Sequence, residues 1–216
     1  MRLLRPSYEI ITQIDTEDIL GKVEKAARVC YKSESKIGPG TAEKLIASVI
    51  KRGHESVIEH ENISVKFICD RGVTHEIVRH RLCSFSQEST RYCSYGGGVA
   101  FIIPPWIEDI EPGEYHSFTR TNGKSEEART WFNAMLYAEC VYKKMILELK
   151  WKPEQARAIL PNSLKTEIVV TANLREWRHI LKLRTDTAAH PQMREIMVPL
   201  RWELARKLPV IFTSLG

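Results

Sequence analysis

The 216-residue chain contains no Cys-x-x-Cys pair, and its five cysteines (Cys30, Cys69, Cys83, Cys93, Cys140) are scattered and odd in number. Neither a disulfide framework nor a cysteine-based zinc site is indicated, so reduced thiols in a cytoplasmic setting are expected. Long apolar runs are missing too. No stretch approaches the ~20 apolar residues of a membrane span, and the opening MRLLRPSYEIITQI is too short and broken for a signal peptide. Metal-ligand spacings are equally absent. His75-Glu76 followed by His80 is not H-E-x-x-H, because histidines five apart lie about 140° apart around a helix. His54 and His60 have no Cys or third His at zinc spacing, and no metal is expected. Gly96-Gly97-Gly98 is not the G-x-G-x-x-G of a dinucleotide fold. Charge of one sign is also scarce: the net +5 comes in short clusters, fitting an anionic small ligand at least as well as nucleic acid.

What is present reads as a soluble globular chain, 43% hydrophobic and 27% charged, and a single domain over 1–216 is expected. Residues 7–14 suit a first strand. Thr16 reads as the cap of a helix with Ile19, Leu20, Val23, Ala27 and Cys30 on its apolar stripe. After Gly38-Pro39-Gly40, Thr41 opens a second helix carrying Leu45, Ile46, Val49 and Ile50 as far as Gly53. Ile63–Cys69 suits a strand. From Ile102 to Gly123 the Pro- and Gly-containing run reads as an irregular surface excursion. Ser125 caps a long helix with Phe132, Met135, Tyr142, Met145 and Leu149 on its stripe. Pro153 starts a short helix, and residues 166–171 suit another strand. Asn173 and Glu176 form a capping box for a helix with Trp177, Leu181 and Leu183, ending near Arg184. Pro191 begins a last helix buried through Ile196, Leu200, Leu204 and Leu208. The class expected is α/β (α+β): a central antiparallel or mixed sheet flanked by helices, with a largely helical second half.

The densest chemistry lies between Arg79 and Arg91, where three arginines and a histidine alternate with four hydroxyl side chains, Gln87 and Glu88. The apolar Ile77 and Val78 before it suggest a helix running on into Arg79 and Arg81, which would then point about 200° apart. Guanidinium forks grip phosphate bidentately, and a Gln amide can read an imide or amide edge. These are the groups of a site for phosphorylated, heterocyclic ligands; a solvated basic face followed by a polar loop is the plainer reading.

The pattern R-H-R, seven residues, then Ser (Arg79, His80, Arg81, Ser89) closely resembles the signature of the flavin-dependent thymidylate synthases. Other elements are similar to that family: Gly53-His54-Glu55-Ser56 with the following Glu59-His60, Arg157-Ala-Ile-Leu-Pro161, the Asn173-x-Arg175 helix and Leu183-Arg184. The resemblance implies the family's fold and the reductive methylation of dUMP to dTMP. FAD would carry hydride from NADPH, and methylenetetrahydrofolate would be the one-carbon donor. It implies FAD contacts at His54, Ser56, Arg79, His80, Arg81, Gln87, Asn173, Arg175 and His179, although the family residue at 179 is often Asn. It implies dUMP contacts at Glu76, Arg79, Gln87, Glu88, Ser89, Arg91, Arg157 and Arg184, with Arg184 as the catalytic residue that activates the pyrimidine. A homotetramer with sites shared between subunits is implied as well. At 76 the family commonly has Gln; a carboxylate there can accept a hydrogen bond but cannot donate unless protonated.

Other readings of single residues stay open at this level. His54 suits a helix-end histidine, Arg157 and Arg184 suit cations at helix C-termini, and Ser89 as a nucleophile would need a general base that the sequence does not put beside it. None of the five cysteines sits in the Pro-Cys context of the common thymidylate synthases, so ring activation by a guanidinium fits better than attack by a thiolate. An arginine- and aromatic-based nucleic-acid binder, using Phe85, Tyr92 and Tyr95, is the main alternative class, and a metal-dependent hydrolase a second.

Overall fold

The computed structural model describes residues 1–116 and 125–215. It has the expected mixed α/β class, with its strands in two sheets, and its residues group into two compact units.

The first unit comprises Met1–Ser7, Phe67–Arg79 and Ser86–Ile168. Its three-stranded sheet has β1 (Arg2–Leu4) in the middle. β5 (Ala100–Ile102) runs parallel to β1, and β6 (Gly113–Glu114) antiparallel to it. Leu3 and Phe101 are register partners and both fully buried. The long helix α4 (Glu126–Lys143) starts where expected, with Ser125 Oγ accepting from the Ala128 amide at 3.2 Å. It packs Phe132, Leu136 and Tyr142 against Val99, Phe101 and Ile103. This corrects the reading of a surface excursion from Ile102: Ile102, Ile103, Ile107 and Ile110 are core residues. A three-residue strand is too short to register as a periodic signal, and the prolines masked it. The rest of that run, from 117 to 124, lies outside the described residues. Leu149 is 54% exposed rather than on the buried stripe. A π-helical stretch, Lys144–Glu148, follows α4 and breaks the 3.6-residue phase that the stripe assumed. α5 (Pro153–Ala156) begins on its proline, as expected.

In the same unit α3 (Arg71–Ile77) is started by Asp70, whose Oδ1 accepts from the Val73 amide at 2.9 Å. Gly72 has to be a glycine here, because a Cβ on it would lie 2.9 Å from that same oxygen. The helix stops at Val78, its C-cap. Arg79, His80 and Arg81 therefore lie beyond it, which corrects the expectation that they continue a helix. The chain instead reverses through a turn to enter β4 (Cys83–Gln87), and strand pairing wins over the local apolar cue.

The second unit comprises Tyr8–Lys66, His80–Phe85 and Val169–Gly216. α1 (Thr16–Val29) is capped one residue earlier than expected, by Asp15, whose carboxylate accepts from the Asp18 amide at 3.1 Å. Thr16 instead donates its hydroxyl to the Lys207 carbonyl at 2.8 Å. Ile19, Leu20, Val23 and Ala27 are buried, while Cys30, placed on that stripe by spacing, is exposed. Glu24 is buried among them, and Arg28 compensates its charge from 2.7 Å. α2 (Thr41–Lys51) buries Ile46 and Val49, and the chain leaves it through Gly53 at φ 75°, a left-handed value that suits glycine.

α6 (Leu174–Arg184) carries most of the functional candidates of this unit. Asn173 Oδ1 accepts from the Glu176 amide at 2.8 Å, as expected of the cap. Trp177 anchors the helix: it is fully buried and its indole N–H donates to the Ile63 carbonyl at 2.8 Å. Leu183 lies six positions on from Trp177, well round the helix, and is 49% exposed. α7 (Pro191–Lys207) buries Ile196, Leu200 and Leu204, and a short α8 (Pro209–Phe212) follows.

The chain passes from one unit to the other within β2 (Ser7–Ile10), β3 (Asn62–Asp70), β4 and β7 (Lys165–Asn173). These four form a sheet in the order β2-β3-β7-β4. Val65, Phe67 and Cys69 on β3, and Ile168, Val170 and Ala172 on β7, are buried at every second position. Among the described residues no helix is long and apolar enough to cross a membrane.

Candidate active site

In the second unit a cavity of about 640 Å³ opens beside the first turns of α6, within the size range of small-molecule sites. Asn173, Arg175 and His179 line it, as do Arg178, Lys182, Glu55 and Glu59. The helical period explains the grouping, since positions 175, 178, 179 and 182 fall on one face. Arg175 is exposed and paired with Glu59 at 2.5 Å. Such a surface pair is worth little in water, so an incoming anion can replace the carboxylate. Arg178 is buried; it donates to the Ile211 carbonyl and, at 3.2 Å, to Glu55. Its Nε is buried and makes no hydrogen bond among the described residues. A donor left over in a cationic cavity suits a ligand rich in acceptors, such as a phosphate.

Beside this cavity His80 is only 6% exposed. Arg184 donates from Nε to His80 Nε2 at 3.0 Å, and His80 Nδ1 faces Glu176 Oε1 at 3.6 Å. The His179 ring meets His80 edge-on at 5.9 Å. Burial, followed by the charges of Arg184 and His179, lowers the His80 pKa to about 4, so the ring is neutral near pH 7. Burial pushes the Glu176 carboxyl up. Ligand atoms of His80, Glu176 and His179 lie within 4.8 Å of one another, near enough to share a cation. The Arg184 guanidinium on His80 opposes one there. The sequence offered no sign of this trio, because its members come from segments about a hundred residues apart. His54 and Ser56 are exposed at the start of the Glu55–His60 3₁₀ turn, and Arg81 is exposed beyond α3.

The first unit has its own cavity, of about 480 Å³. Arg157 lines it together with Arg71, His75, Thr90 and Asn162. Arg157 Nη1 donates to the Thr90 hydroxyl at 3.4 Å, while Arg71 Nη1 is buried with no hydrogen bond among the described residues. Glu76, Arg79, Ser89 and Arg91 are not on its lining among the described residues. Arg79 and Arg91 are exposed; Glu76 and Ser89 are half-buried. Gln87 spends its amide nitrogen on the hydroxyls of Thr74 (2.9 Å) and Thr166 (3.3 Å), so what it can offer a ligand is its carbonyl oxygen. Glu88 is held by the Tyr95 hydroxyl at 2.7 Å and by Lys165 at 3.2 Å. That bond, on top of burial, pushes the Tyr95 phenol well up.

Arg71, Thr90, Tyr95, Lys165, Glu55 and Glu59 are thus site neighbours that sequence reasoning missed. Only Arg71 carried a readable sign, since it follows the Asp70 cap at the helix start that the signature leads back to.

Residues 12–210 match the model of a family described as thymidylate synthase complementing protein. A flavin-dependent thymidylate synthase of Mycolicibacterium gilvum is 36% identical over 213 residues, covering 97% of this chain and 84% of the relative. One from Mycobacterium tuberculosis is 35% identical over 196 residues, covering 89% and 78%. Among solved structures, the UMP/dUMP methylase PolB of Streptomyces cacaoi, bound with 5-Br dUMP, superposes with a TM-score of 0.78 at 27% identity over 99% of this chain and 96% of its own. A match of that length, reached by signature residues that the fold gathers beside two cationic cavities, makes this chain a member of the flavin-dependent thymidylate synthase family of enzymes.

Proposed function

We propose that this chain converts dUMP to dTMP, with methylenetetrahydrofolate as one-carbon donor, FAD as cofactor and NADPH as the source of hydride. Its relatives are named for the flavin-dependent reaction, and the neighbour from Streptomyces cacaoi holds a brominated dUMP. In the reaction C5 loses its proton and takes a methylene unit from the folate, and a hydride completes the methyl group. No side chain can supply that hydride; it is the chemistry the flavin brings when bound.

The observation that carries the proposal is the cavity on α6, which gathers Asn173, Arg175 and His179 from three turns of one helix and adds Arg178 with its unused buried N–H. Those donors fit the phosphates of FAD, with Lys182 supplying a further cation. In the other unit Arg157 and Arg71, two guanidiniums on one cavity wall, suit the 5′-phosphate of dUMP. Glu88, fixed by Tyr95 and Lys165, is an oriented acceptor for a sugar hydroxyl or ring N–H.

Arg184 activates the ring. A guanidinium against the uracil edge favours the N3 anion and so raises the electron density at C5, without a covalent bond to C6. The thiols fit this division of labour: burial pushes Cys69 well up and Cys83 to about 12, far from a thiolate at pH 7. A homotetrameric, cytoplasmic enzyme with sites shared between subunits completes the proposal.

The test is the visible spectrum of the purified protein before and after dUMP. Flavin bands that shift on addition are expected. A colourless protein that takes up no added FAD, or a flavin blind to dUMP, defeats the proposal.

A further inference from the structure

We propose that His80 positions the Arg184 guanidinium for ring activation, acting as a fixed acceptor on Nε and so leaving the terminal nitrogens to meet the pyrimidine. The inference presupposes the role given above to Arg184 and adds the group that aims it.

Arg184 is the last residue of α6, where a long cationic side chain can ordinarily swing among solvent and the terminal helix carbonyls. Here it is half-buried and its Nε–H is taken by His80 Nε2 at 3.0 Å. A bond at Nε fixes the plane of the whole fork, because the guanidinium is rigid. For Nε2 to accept, the ring proton must sit on Nδ1, the nitrogen that faces the Glu176 carboxylate. Glu176 therefore selects the tautomer, the tautomer presents a lone pair to Arg184, and the bond sets the direction of the charge. The ring cannot drift out of this role easily, being 6% exposed and abutted edge-on by His179. It also stays neutral, with a pKa lowered to about 4 by burial and by Arg184 itself. An imidazolium in its place would repel the guanidinium. His80 is not on the wall of the α6 cavity; both nitrogens are turned to protein partners. It is a positioning residue.

Two amide variants separate the nitrogens of the ring. The carbonyl of Gln reaches the position of Nε2 and can accept from Arg184, whereas that of Asn reaches only the position of Nδ1. Steady-state kinetics with dUMP varied should give a kcat for His80→Asn about 10- to 100-fold below wild type, with KM for dUMP within a few-fold and flavin content unchanged. His80→Gln should recover most of the loss. Equal impairment of the two variants, wild-type kcat in His80→Asn, or a defect confined to KM or flavin content overturns the proposal. Should His80→Asn not fold, His80→Leu takes its place as the variant without an acceptor. Arg184→Ala is the control for the underlying role: wild-type turnover there defeats the activation reading itself. An inactive Arg184→Ala beside an unaffected His80→Asn defeats only the positioning.

Discussion

Asn173 has two duties that can be separated by experiment. Its Oδ1 caps α6 through the Glu176 amide at 2.8 Å, and the residue also lines the cavity proposed for FAD. Replacing Asn by Ala leaves that amide without its acceptor, at a cost of about 1 kcal/mol for a helix cap. For a domain of 216 residues this corresponds to a melting temperature about 2–4 °C lower. Asn173→Asp keeps the oxygen and adds a negative charge where the helix dipole welcomes it, so the melt should return to the wild-type value. The same charge now faces a cavity that already holds Glu55, Glu59 and Glu176. Repulsion of a phosphate at this distance, in a site open to water, is worth on the order of 1 kcal/mol, or roughly a fivefold loss of flavin affinity. The assay is a pair of measurements: thermal melts of flavin-free protein, since bound ligand would add its own stabilisation, and a flavin titration. If Asn173→Asp melts as low as Asn173→Ala, the cap is not what Asn173 supplies. If it binds FAD as tightly as wild type, the cavity is not where the phosphates sit.

The neutral ring of His80 makes stability depend on pH. Its folded pKa of about 4 lies below the ordinary value of 6.5, so the unfolded chain takes up a proton first as pH falls. The contribution is complete above pH 6.5 and is lost towards pH 4, to the extent of about 3 kcal/mol at most. Melts between pH 7 and 4.5 should fall more steeply for wild type than for His80→Gln, and identical profiles would refute the assignment. For the thiols, maleimide at pH 8 should label the exposed Cys30, Cys93 and Cys140 and spare Cys69 and Cys83, as read by mass spectrometry of peptides. Labelling of Cys83 at the rate of the exposed three would contradict its burial.

The boundaries that a single side chain decides were legible in the sequence: the Ser125 and Asn173 caps, and the helix starts at Pro153 and Pro191. These signals are local, so no tertiary knowledge is needed. What escaped depends on distant partners. β1 and β5 are three residues each and exist because residues about a hundred positions apart pair in register. The helix expected through Arg79 had its apolar lead-in, yet the strand pairing of β4 ends it at Val78. The candidate site divides the same way. Arg157, Asn173, Arg175 and Arg184 sit in motifs, whereas Arg71, Glu59 and Tyr95 acquire meaning only from what the fold sets beside them.

The bond from Thr16 to the Lys207 carbonyl spans 191 residues and bears on synthesis rather than on chemistry. A ribosome adding about 5–20 residues per second needs roughly 10–40 s to make that length of chain. During this interval α1 has emerged with Ile19, Leu20 and Val23 but without the C-terminal segment that ties down its first turn. The other unit waits as well, since it begins at Met1 and ends only with Ile168. Neither unit can close in the order in which it is made. Nascent chains stalled anywhere before the last helix are therefore the species most in need of a chaperone, and slowing translation lengthens their exposure.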